Sequence, residues 1–181
     1  MDPIKIIQKF YKTDSLAYSF LVPHSQSVAK KAIEIAIRVP HLSPDLKFIE
    51  EASMLHDIGI FLVSYQKIGC FGDEPYICHG YLGRELVEKE GYPKHALVCE
   101  RHIGLGISMK DIKMQKLPLP CREMMPISIE EKIICLADKF FSKNKEFLTK
   151  EKSIDQIRKD HLGFGEDKIQ RLDEWLSEFK I

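Results

Sequence analysis

The chain lacks an excess of charge of either sign: 27 Lys and Arg balance 27 Asp and Glu over 181 residues. It therefore carries no global electrostatic footprint for nucleic acid or an anionic membrane. No apolar run approaches the length of a spanning helix, and Met1-Asp2-Pro3-Ile4-Lys5 shows no basic segment leading into an apolar signal core. Paired cysteines are missing too. Cys70, Cys78, Cys99, Cys121 and Cys135 are odd in number, scattered, and form no Cys-x-x-Cys. That excludes a zinc knuckle or disulfide framework and fits free thiols in a reducing cytoplasm. Strand-like alternation, internal repeats and low-complexity stretches are also absent.

What is present is helical periodicity. Residues 4–12 and 14–22 read as short helices, the second capped by Asp14. Pro23 breaks the pattern, and His24 opens a long helix with His24, Val28, Ala32, Ile35 and Val39 on one stripe. Ser43 and Pro44 suit the cap and first position of the next helix, which runs through His56-Asp57 and ends near Gly59. Residues 63–78, rich in Gly, read as a loop of lid length. Helices follow over about 79–90, closed by Gly91, and about 94–103; one short piece lies near 108–114. Ser128 with Glu131, and Ser153 with Gln156, form capping-box patterns, and a last helix over about 165–180 carries Ile169, Leu172, Trp175, Leu176 and Phe179 on one face. The expectation is an all-α, single-domain helical bundle covering 1–181. Its motif-bearing core spans about 20–142, with the terminal helices (1–19 and 150–181) packed on it.

Ser53-Met54-Leu55-His56-Asp57-Ile58-Gly59 is the chemically informative stretch. Helical spacing puts His56-Asp57 on or beside the core-facing side. An ionised Asp buried there is costly unless a positive group neutralises it. His24, His79, His102 and Asp138 sit at comparable places on other expected helices. Singly, each has a structural explanation: a helix-start His is more often a cap, and a His on an apolar stripe is more often a hydrogen-bonded core residue. As a series they outnumber what one tetrahedral zinc needs and match two metals sharing a carboxylate. Imidazoles and carboxylates suit iron first, and also manganese, zinc, nickel or cobalt.

His24, then His56-Asp57, then Asp138 resembles the HD superfamily of metal-dependent phosphohydrolases. His56-Asp57-Ile58-Gly59 is similar to its HDIG variant, Leu136-Ala137-Asp138-Lys139 to its last motif, and the added His79 and His102 to the subgroup with dinuclear centres. The resemblance implies an all-α core. It also implies one metal on His24, His56, Asp57 and Asp138, and a second on Asp57, His79 and His102, with Asp57 bridging and His56-Asp57 at the centre of catalysis. The activity it implies is hydrolysis of a phosphoester or phosphoanhydride in a nucleotide or other small phosphorylated metabolite, in the cytoplasm, with no nucleic-acid or membrane partner; a homodimer is compatible with it. Two alternatives use the same ligands: a di-iron oxygenase and a non-catalytic nucleotide sensor.

The lysine that often follows HDIG is replaced by Ile60-Phe61, which leaves Arg84, Arg101 and Lys139 as candidates for phosphate contact. Glu100 and Glu131 are candidates to orient the imidazoles, and His95 is a candidate general acid. Gly91-Tyr92-Pro93 superficially resembles the tripeptide of cyclic-dinucleotide phosphodiesterases but lacks a neighbouring His-His pair, and reads as a helix stop and restart.

Overall fold

The computed structural model describes all residues from Met1 to Ile181. It is all-α: nine helices and one two-stranded hairpin. α1 (Pro3–Phe10) leads to the long α2 (Leu16–Arg38), and α3 spans Leu46–Leu55. A 3-10 turn over Ile58–Leu62 enters the hairpin of β1 (Ser64–Tyr65) and β2 (Cys70–Phe71). Then come α4 (His79–Lys89), α5 (Pro93–Arg101), α6 (Met109–Gln115), α7 (Ile129–Lys139), α8 (Ile154–His161) and α9 (Glu166–Glu178). No helix is long and apolar enough to cross a membrane.

Two apolar cores flank the middle of the molecule. One joins α2, α3, α7, α8 and α9 through Ile35, Ile49, Ile133, Leu136, Leu172 and Phe179. The other joins α1, α2, α3 and α5 to the segment after Asp57 through Ile7, Leu21, Leu55, Ile58 and Ile60. α2 and α3 contribute to both, so they set the spacing of everything packed on either side.

Local rules and tertiary packing disagree at several points. Pro23 does not break the chain; it lies inside α2, which starts at Leu16 with Ser15, not Asp14, as its cap. Proline leaves the Ser19 carbonyl without its usual helical donor. The helix continues because Leu21, Val22, Val28 and Ala29 on both sides are buried. α3 is capped by Asp45, which accepts from Phe48 N, while Ser43 closes a preceding 3-10 turn in the left-handed region. α3 also ends earlier than expected, at Leu55, so His56 and Asp57 follow it rather than ride on it. The expected loop over 63–78 contains the hairpin, which is too short to alternate visibly in sequence.

Gly91 (φ +88°) closes α4 as expected. Ser128 and Ser153 do cap their helices, but neither box closes: Glu131 accepts from Ile127 N and Gln156 donates to Asp160. All five cysteines are free, and burial pushes the Cys135 thiol up to about 12 and that of Cys99 up as well, which keeps both neutral.

Candidate metal centre

The six expected ligands converge from five helices. His24 lies within α2; His56 is the C-cap of α3, with Asp57 next to it; His79 begins α4; His102 is the C-cap of α5; Asp138 lies in the last turn of α7. Three of these helices therefore present their C-terminal ends, where the peptide dipoles favour a cation.

Backbone carbonyls orient three of the rings. His56 Nδ1 lies 2.6 Å from the carbonyl of Ser53, His79 Nδ1 2.6 Å from that of Tyr76, and His102 Nδ1 2.8 Å from that of Cys99. A carbonyl only accepts, so each Nδ1 carries the hydrogen and each Nε2 faces inward. Glu100 and Glu131 do not take this role. Glu100 is held by Arg84 and Arg122, and Glu131 by Arg101.

Asp57 divides the site. Its Oδ2 lies 3.1 Å from His24 Nε2 and 3.0 Å from His56 Nε2, whereas its Oδ1 lies 3.2 Å from His79 Nε2 and 3.4 Å from His102 Nε2. Asp138 Oδ1 completes the first group, 3.0 Å from His24 Nε2. Two sets of donor atoms result, each compact enough to hold one ion: His24, His56, Asp57 and Asp138; and Asp57, His79 and His102.

The donor chemistry fits a cation in both. Neither oxygen of Asp57, nor His56 Nε2, makes a hydrogen bond of normal geometry, although all are buried. In the second group, Nε2 of His79 and Nε2 of His102 face each other at 3.2 Å with both Nδ1 hydrogens already donated elsewhere. Burial lowers the His102 pKa to about 4, although Asp57 opposes the shift, so its Nε2 presents a lone pair at neutral pH. Burial works against charge on His56 as well, but Asp57 and Asp138 outweigh it and raise its pKa to about 9.

The site opens into a pocket of about 520 Å³ that includes Tyr65, Tyr76, Lys139 and Lys143 in its lining. Lys143 went unnoticed in the sequence, where it is one more lysine in a polar stretch after α7. Its ammonium sits 2.5 Å from Asp57 Oδ2. Burial disfavours that charge, but Asp57 holds it above the usual lysine range. Tyr11, also unanticipated, accepts from Phe61 N and donates to the Ile58 carbonyl, pinning the turn after Asp57.

Of the candidates for phosphate contact, Lys139 lines the pocket but binds Asp138 and the His102 carbonyl. Arg84 and Arg101 are engaged by Glu100 and Glu131 and are not part of the pocket lining. His95 contacts Glu51, which also holds the N-terminal amine, and is likewise outside the lining.

Residues 21–142 match the HD domain family. The chain belongs to that family. It is 32% identical over 158 residues to an uncharacterized protein of Methanocaldococcus jannaschii, covering 84% of this chain and 83% of that one. Two tRNA (cytidine(56)-2'-O)-methyltransferases are similar as well. The one from Thermoplasma volcanium is 30% identical over 89% of this HD chain, and the one from Picrophilus torridus 28% identical over 97%. This chain spans only 43% and 46% of their respective lengths. No solved structure matches the chain.

Proposed function

We propose that this HD domain is a metal-dependent phosphohydrolase that cleaves a phosphoester or phosphoanhydride of a small phosphorylated metabolite, a nucleotide first among them. The observation that carries the reading is Asp57: one buried carboxylate turns one oxygen to His24 and His56 and the other to His79 and His102. One or two divalent transition ions in these groups, iron first, would lower the pKa of a bound water and stabilise charge on phosphoryl oxygens. The chain itself supplies the rest. Carbonyl-anchored imidazoles keep Nε2 aimed inward without rotating. Lys143 occupies Oδ2 where a dication would compete with it, and once displaced its ammonium is available to a phosphate. Lys139 adds a second positive charge to the pocket lining.

Two lysines at the pocket favour an anionic substrate, in keeping with a phosphorylated one. More than half of each of the two methyltransferases lies outside the region they share with this chain, so their name does not describe the shared HD region.

The test is elemental analysis of gently purified protein, followed by phosphate release from nucleotides and sugar phosphates under anaerobic conditions. Turnover that a chelator abolishes, that added metal restores and that Asp57→Ala lacks is the expected result. Full metal occupancy with no phosphate released from any substrate, or unchanged turnover in Asp57→Ala, overturns the reading.

A further inference from the structure

A second cavity of about 290 Å³ adjoins the metal pocket. The two share Tyr76, His79, Ile103 and Gly104, so they lie side by side as two neighbouring compartments. Their linings differ. The first carries His24, His79, His102, Asp138 and two lysines; the second is walled by Ile77, Ile103, Leu105, Ile107, Leu117 and Phe164.

Besides the shared Tyr76 and His79, four polar side chains interrupt that apolar wall: Asp111, Gln115, His161 and Lys168. Lys168 of α9 pairs with Asp111 of α6 at 2.7 Å. Asp111 Oδ2 takes this contact and both hydrogen bonds from Ser108, leaving Oδ1 open. His161 Nδ1 lies 2.8 Å from the Ile157 carbonyl, so its Nε2 presents a lone pair. Phe164 lines the same cavity with 60% of its surface exposed, an aromatic ring that the fold does not cover.

Apolar walls with a few polar groups at fixed positions describe a site for a flat ring with polar edges. An alkyl chain would strand the polar groups, and a sugar would leave the apolar wall unmatched. Part of the compartment lies outside the matched HD core: His161, Phe164 and Lys168 all follow residue 142, where the family match ends.

We propose that the second compartment is a base subsite, taking the ring of a nucleotide whose phosphate lies at the His/Asp centre. The ring rests on Phe164 and the apolar wall. Its edge is read by His161 Nε2, Gln115 and the Asp111–Lys168 pair. The phosphate end of this assignment rests on the phosphohydrolase reading; the base end rests on the cavity alone.

The experiment measures calorimetric binding to metal-loaded full-length protein of AMP, GMP, CMP, UMP, the four nucleosides and ribose 5-phosphate, alongside phosphate release from each phosphorylated probe. At least one nucleotide is expected to bind about tenfold or more tightly than ribose 5-phosphate, as a stacked base would give. Leu117→Trp, which fills the cavity, and Phe164→Ala, at an exposed position, should each bring that ratio towards one. Equal affinity for ribose 5-phosphate and all four nucleotides, or a preference that survives both variants, overturns the subsite. If phosphate is released but without base preference, the phosphohydrolase reading stands and the subsite falls. If a nucleoside binds, both variants abolish it and no phosphate is released from these probes or from the wider substrate panel, the subsite stands and the phosphohydrolase reading falls. If nothing binds, the subsite falls, and the phosphohydrolase reading is decided by phosphate release across the wider substrate panel.

Discussion

The ammonium of Lys143 lies 2.5 Å from Oδ2 of Asp57, with the lysine nearly and the aspartate fully removed from solvent. Lys143 thus stands where a metal ion would neutralise the same oxygen. Lys143→Met should destabilise chelated protein by about 3–5 kcal/mol, the cost of stripping a buried charge of its partner. Metal-loaded protein, in which the ion serves Asp57, should lose clearly less. Urea unfolding of both forms checks this; equal losses in the two would show that Lys143 does not substitute for a cation.

Asp57 serves both ligand groups, whereas Asp138 serves the first and His102 the second. Asp57→Asn is expected to empty both, while His102→Ala and Asp138→Asn should each remove about half of the bound metal where two ions bind, one to each group. Metal-to-protein ratios by elemental analysis read the difference. Identical ratios in all three variants would rule out a shared carboxylate.

Gly59 belongs to the motif for a packing reason. A Cβ there would lie 2.2 Å from the His79 carbonyl and 2.6 Å from Gly83 N, so the turn after Asp57 touches α4 backbone to backbone. Gly59→Ala should cost about 1–3 kcal/mol through overpacking and, by pushing α4 aside, weaken the metal group that contains His79. Thermal unfolding and metal titration test the two effects together. A stable variant with full metal content would contradict them.

Asp111 ties α6 to α9. Burial would raise its pKa, but hydrogen bonds from Lys168 and Ser108 outweigh that and lower it to about 2 from a usual 3.8. A depressed carboxyl contributes stability above its unfolded pKa and loses it as pH falls through the folded one. Wild type should therefore lose stability between about pH 4 and pH 2, and Asp111→Asn should lose less over that window. Denaturant midpoints across the range decide it; parallel curves would remove Asp111 from the account.

Much of the architecture was legible because it follows local rules. Helix stops at Gly91 and starts at Ser128 and Ser153 depend on backbone groups within a few residues. Where a local rule met packing, packing won: Pro23 sits inside α2 between buried apolar neighbours. The roles of Arg84, Arg101, Glu100, Glu131 and His95 were not legible. Their long-range ionic partners are 16 to 44 residues away, and charged side chains at such separations pair according to tertiary proximity. Lys143 was missed for the same reason, since its partner Asp57 lies on another element.

By itself the sequence determined the helical class, and the type and order of the residues able to bind metal, because periodicity and donor chemistry are properties of single side chains and their near neighbours. The tertiary structure decided how those residues combine. Two imidazoles on each oxygen of Asp57, a lysine over it, and Asp138 brought to His24 from 114 positions away all depend on the ends of helices meeting at one point. That meeting is set by the two cores that share α2 and α3, and no local spacing encodes it.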